Sequence, residues 1–144
     1  MKQVIELKEG MENIIIDKDS DILMLFQGGH LDTAFKLIFN EPNIKSDIKI
    51  KAVIRSSDVF KIEPLIRINK GSKGVTAHLS IDVLLLDEQI SVKAKPSMEI
   101  LENDVKVSHS LRVTKLNKDH LFYLNTKGLN DSSEVLIKAF LNRY

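Results

Sequence analysis

The chain has 144 residues, 43% of them hydrophobic and 28% charged, with a formal net charge of +1 and no cysteine. A single domain of this length buries roughly 70% of its unfolded surface. The near-neutral balance lacks the basic field of nucleic-acid binders, and a chain without cysteine has no disulfides, thiolate metal ligands or cysteine nucleophiles. Charges interrupt the apolar runs of the N-terminal stretch, residues 1–16, so it does not read as a signal peptide. No apolar stretch approaches the roughly 20 residues of a membrane span. The expected setting is the cytoplasm, with no membrane and no nucleic acid as partner.

In chain order, the first 45 residues carry no decisive pattern. Asp17-Lys18-Asp19-Ser20-Asp21 has the flavour of a calcium loop but lacks the central glycine and closing glutamate, and reads as a solvated turn. Residues 32–39 fit a helix or a strand, and strand is the expectation. A turn follows at Asn40-Glu41-Pro42-Asn43. Ile48-Lys49-Ile50-Lys51 alternates, with its lysines expected on the solvent side. Residues 62–68 form a further strand. Gly71-Ser72-Lys73-Gly74 lacks the spacing of a phosphate-binding loop and reads as a tight turn. In residues 75–83 every odd position is apolar and every even one polar, which places His78 and Asp82 outside. Strands follow at 90–94 and 98–101 around the break Lys95-Pro96, and alternation resumes over 105–113.

Two recurrences accompany these strands. Pro64 and Pro96 lie 32 positions apart, and His78 and His109 lie 31 apart. A period near 30 residues among short strands suits a solenoid that stacks strands in parallel, although alternating strands also build sandwiches. The last part is helical in character. Asn117 caps a helix through Thr126, closed by Lys127-Gly128, and Asn130 or Asp131 caps a second through Asn142, with the apolar face Val135, Leu136, Ala139 and Phe140. The expected organisation is a β core over 1–116 and a helical segment over 117–144 packed on it.

The order Lys95-Pro96, Glu99-Ile100, Asp104-Val105-Lys106, Ser108-His109, Leu116, Leu121-Phe122-Tyr123-Leu124 and Gly128-Leu129 resembles the C-terminal core of the SufB/SufD family, the scaffold proteins of iron–sulfur cluster assembly. The close match covers 95–128 and a weaker one 71–144. The resemblance implies a mainly β fold, a right-handed parallel β-helix followed by two short C-terminal α-helices. It implies a non-catalytic scaffold, cut down relative to far longer family members. Such a platform pairs with a SufB/SufD-like chain or a second copy and docks a SufC-type ABC ATPase. Two other readings stay open: a β-helix interaction module without an assembly role, and a polysaccharide-acting β-helix enzyme. The enzyme would need clustered carboxylates, which the outward positions do not offer.

His109 shares the parity of the apolar residues Val105, Val107, Leu111 and Val113. An imidazole there is either buried and hydrogen-bonded, or placed where another surface covers it. SufD-type sequences commonly carry a cysteine two residues before this histidine, where Val107 stands. SufB-type sequences place a glutamate after it, where Ser110 stands. The resemblance therefore carries over His109 alone, as a metal or cluster ligand acting only with a partner chain. The isolated chain is expected to hold no cofactor, and any iron–sulfur cluster would be shared with the partner. The family also implies ATPase contacts at Leu121, Phe122, Tyr123, Leu124 and Gly128. The same apolar run could instead close the end of the solenoid.

Overall fold

A computed structural model describes residues 2–55, 57–87, 90, 92–115 and 140. Its strands are β1 (Lys2–Glu6), β2 (Ile14–Ile16), β3 (Ser20–Phe26), β4 (His30–Phe39), β5 (Lys45–Ile54), β6 (Val59–Ile68), β7 (Thr76–Leu85), β8 (Lys93–Ala94), β9 (Ser97–Ile100) and β10 (Lys106–Lys115). Odd-numbered strands β1, β3, β5 and β7, and then β10, build one sheet, sheet A. Strands β2, β4 and β6, with β8 and β9 both beside β6, build sheet B. Every strand pair among the described residues is parallel. The chain alternates between the sheets and returns one rung further each time. This is a parallel β solenoid, as expected; an antiparallel sandwich is excluded.

The rung length follows from the register. Asp21 lies opposite Lys2, Ser46 opposite Ser20, Thr76 opposite Lys45 and Lys106 opposite Thr76, so successive turns of sheet A take 19, 26, 31 and 30 residues. In sheet B, Ser97 lies opposite Leu65, a turn of 32. The Pro64–Pro96 spacing is therefore the rung repeat. Proline lacks the N–H that the ladder needs. Pro96 falls between β8 and β9 and separates them. The His78–His109 spacing misses the repeat by one: His78 lies opposite Ser108, and His109 lies opposite Leu79. A shift of one residue moves a side chain to the other face of a strand. His78 thus points outward and His109 belongs to the inward row.

Alternation drives the packing. The inward row Met24, Ile50 and Ile81 is fully buried, as are Leu37 and Ile66 on the facing sheet. Each such side chain contributes about 1.5–3 kcal/mol relative to exposure. Residues 32–39 are strand, with Thr33, Phe35, Leu37 and Phe39 inward. The turn from β6 to β7 is held from inside. Ser72 is buried and donates its hydroxyl to the Phe39 carbonyl at 3.0 Å. Gly74 has φ +77°, and a Cβ there would run into the Asn43 side chain. The edge of sheet B is closed by side chains. Glu9 accepts from the Asp32 N–H at 2.7 Å and Asn13 from the Lys36 N–H at 3.0 Å, beside the short strand β2. Such caps blunt a strand edge that would otherwise invite pairing.

One expectation about β5 is overturned. Lys51 is not on the solvent side but 2% exposed, although it points away from the core. Phe140, which is helical, lies on the outer face of sheet A against the cluster of Val53 and Leu84 and contacts Lys51 there. The two helices expected over 117–126 and 130–142 otherwise lie outside the described residues.

Candidate functional site

The last rung is built like the earlier ones but lacks a neighbour among the described strands. Register extends the inward rows of sheet A to Val107, His109, Leu111 and Val113, and those of sheet B to Ala94, Met98 and Ile100. One rung earlier, in β7 for sheet A and β6 for sheet B, the same rows are buried. Here Leu111 is 47% exposed, Val113 41%, Met98 41% and Ile100 42%. Only Val107 and Ala94 remain half-buried. Among the described residues the solenoid therefore ends in an open apolar rung. A cavity of about 600 Å³ opens into it, lined by Ile62, Val92, Ala94, Leu111 and Val113 together with charged side chains of both signs, among them Lys61, Lys93, Asp32 and Glu63.

His109 stands in this end, in the row Ile22–Ile48–Leu79. The parity read from the sequence holds; of the two placements that parity allowed, His109 is not buried in the core but exposed, with no described strand beyond β10 to cover it. Val107 and Ser110 flank it on β10, inward and outward respectively. His78, on the outer face, pairs its Nδ1 with Ser108 Oγ at 2.7 Å and takes no part in the open end. Leu121, Phe122, Tyr123, Leu124 and Gly128 lie outside the described residues.

Polar contacts fix the loops around the rung. Glu102 accepts from the Gly71 N–H at 2.9 Å, which holds its carboxyl below the usual carboxylate range against the opposing effect of burial. The Gly74 N–H donates to the Asp104 carbonyl at 2.6 Å. Arg67 and Glu99, opposite each other on β6 and β9, pair at 3.3 Å. At the other end of the molecule, Glu9 accepts from His30 Nδ1 at 2.8 Å. That bond first, and the Asp32 N–H second, lower the Glu9 carboxyl. Asp19, in the predicted acidic turn, accepts from the Lys45 N–H.

The donor set does not suit a resident cluster. There is no cysteine in the chain. Among the described residues no group of three or more His, Asp or Glu side chains could hold a metal ion. A single imidazole at the open end does not hold an iron–sulfur cluster, which takes thiolates or their equivalents from several residues. No helix among the described residues is long and apolar enough to cross a membrane.

Lys51 was missed as a structural residue by the alternation. Its Nζ donates to the Phe140 carbonyl at 2.8 Å and lies 5.4 Å from the centre of the Phe140 ring. The sequence signal was weak but present: Val53 and Leu84, also outward, are apolar on a face otherwise read as solvent-side.

Comparison with known proteins supplies what the site geometry does not. A family model described as "SUF system FeS cluster assembly, SufBD core domain" matches residues 19–140. An iron-sulfur cluster assembly SufBD family protein of Mycobacterium tuberculosis is 31% identical over 114 residues, 78% of this chain and 14% of that protein. A Mycobacterium leprae protein of the same description is 30% identical over 117 residues, 80% of this chain and 14% of its own length. The iron-sulfur cluster assembly protein SufB of Bacillus subtilis is 23% identical over 125 residues, 85% of this chain and 27% of its own length. The chain thus spans well under a third of these relatives.

Proposed function

The chain belongs to the SufBD core-domain family of iron–sulfur cluster assembly, and from that premise we propose that it is a non-catalytic scaffold subunit. In this reading its open end pairs with a SufB/SufD-like chain or a second copy, and its C-terminal segment docks a SufC-type ABC ATPase. The observation that carries the pairing is the exposed last rung, with Leu111, Val113, Met98 and Ile100 in rows that are buried one rung earlier. A solenoid end of this kind is normally capped or joined, because it leaves strand edges and apolar rows in water. Stacking another chain there would also cover His109. The cluster is then cargo shared across the junction: sulfur ligands come from the partner, and His109 adds at most one imidazole.

Reconstitution tests this reading. Incubated with iron and sulfide and then desalted, the isolated chain is expected to show no charge-transfer absorption. With a SufB-like partner present, His109→Ala is expected to lower cluster yield. A stoichiometric, stable cluster on the isolated chain contradicts the proposal. If His109→Ala leaves the yield of the mixed complex unchanged, the interaction-module reading is preferred. That reading is favoured specifically by Val107 and Ser110, which stand where family members carry ligand-capable residues. For the ATPase, Tyr123→Ala is expected to weaken binding by about 2 kcal/mol, roughly thirtyfold, with the solenoid still folded. Undiminished binding places the contact elsewhere.

A further inference from the structure

Outward rows of a β solenoid normally face water, and a lysine among them extends into it. Lys51 does not. It is 2% exposed, and on the same face Val53 is fully buried and Leu84 4% exposed. Phe140 packs, as Leu86 does, against the buried cluster of Val53 and Leu84. The Lys51 ammonium reaches its carbonyl at 2.8 Å and its ring at 5.4 Å. The two residues are 89 positions apart. One side chain thus satisfies a backbone acceptor and faces an aromatic ring of the same residue. Apolar packing alone is non-directional, whereas this pair of contacts fixes position and orientation together.

We infer that the outer face of sheet A around Lys51, Val53, Leu84 and Leu86 is the built seat of the C-terminal segment, and that Lys51 is a positioning residue that sets how this segment meets the ATPase. The second half of the inference rests on the docking proposed above. The seat lies on the flank of the solenoid, on β5 and β7, and not on the open end. Phe140 therefore leaves the rows of Leu111 and Val113 uncovered. A polar pin explains why a lysine is kept on an apolar patch. Methionine would pack as well there, but it would give the Phe140 carbonyl no donor and the ring no cation.

Because the chain has no cysteine, one introduced thiol reports on the seat. In Val53→Cys, a near-isosteric change beneath Phe140, the thiol is expected to react slowly with an aromatic disulfide reagent. Adding Lys51→Met is expected to raise that rate about tenfold or more, the scale of losing a hydrogen bond from a charged donor. Lys51→Arg, which keeps the donor, is expected to restore the slow rate. ATPase affinity, measured by titration, should follow the same order, while far-UV circular dichroism stays unchanged. If Lys51→Met does not fold, Phe140→Ala tests the same seat without touching a strand and should also expose the thiol. Unchanged thiol reactivity in a folded Lys51→Met or Phe140→Ala protein overturns the seat, whatever the ATPase does. A faster thiol with unaltered ATPase affinity refutes the link to docking and leaves the seat standing.

Discussion

Lys51 and His109 are opposite cases of one strand pattern. Lys51 sits on an outward row of β5 and is buried; His109 sits on the inward row of β10 and is exposed. Alternation assigns each residue to a face correctly, since it is a property of the extended backbone. It does not say what lies on that face. On the flank of sheet A, Phe140, 89 positions further along the chain, lies against the outer rows. At β10, nothing among the described strands continues the inner rows. Burial is set by the neighbour, not by the parity.

The sharpest way to break this comparison is to truncate one row at two successive rungs. Ile81 and Leu111 lie opposite each other in one inward row. Ile81→Ala removes a fully buried side chain and is expected to cost about 2–5 kcal/mol of unfolding free energy in chemical denaturation. Leu111→Ala in the isolated chain should cost less than about 1 kcal/mol, because that side chain is already half in water. Equal losses would mean that the end is closed in solution.

A smaller effect is expected at the turn that separates closed rungs from the open one. Gly74→Ala places a side chain at a left-handed φ and against Asn43, and should lower stability by about 1–3 kcal/mol. Gly71→Ala, also at positive φ but with open space around it, should cost about 1 kcal/mol. If Gly71→Ala proves the costlier, the contact with Asn43 is not what tightens the turn.

The smallest effect is electrostatic. Glu9 and Glu102 are both held below the usual carboxylate value, by His30 and by the Gly71 N–H respectively. A carboxyl with a depressed pKa in the folded state stabilises above its unfolded value, and that contribution disappears as pH falls through the lowered one. Thermal midpoints should therefore drop between about pH 5 and pH 3. Replacing Glu102 with Gln should flatten part of that drop, and Glu9→Gln another part. Glu9 is exposed and Glu102 partly so, and water screens both, so the shift is expected to be slight.

Much of this fold was legible in the residues. The strict alternation of 75–83 became β7, and the two prolines 32 apart marked the rung repeat. Residues 32–39 were settled as strand, because Thr33, Phe35, Leu37 and Phe39 alternate inward. The first rungs were not legible. Ile14–Ile16 and Ile22–Phe26 are continuous apolar runs without alternation, partly because Leu23 is buried on the outer face as well. The candidate site was half legible. The face of His109 could be read, but its exposure could not, since that depends on what lies beyond β10. Lys51 was misread for the reverse reason. The histidine recurrence misled by a single residue, because the turns of sheet A take 31 and then 30 residues.

The central claim is that the rung ending in β10 is a junction for another chain. Light scattering after size exclusion, over a range of concentrations and with or without a SufB-like partner, tests it most directly. The native chain is expected to run as a homodimer or as a one-to-one complex. The double variant Leu111→Lys, Val113→Lys should run as a monomer with unchanged circular dichroism. A native chain that stays monomeric at high concentration and ignores the partner would contradict the claim, as would a double variant that associates as well as the native protein.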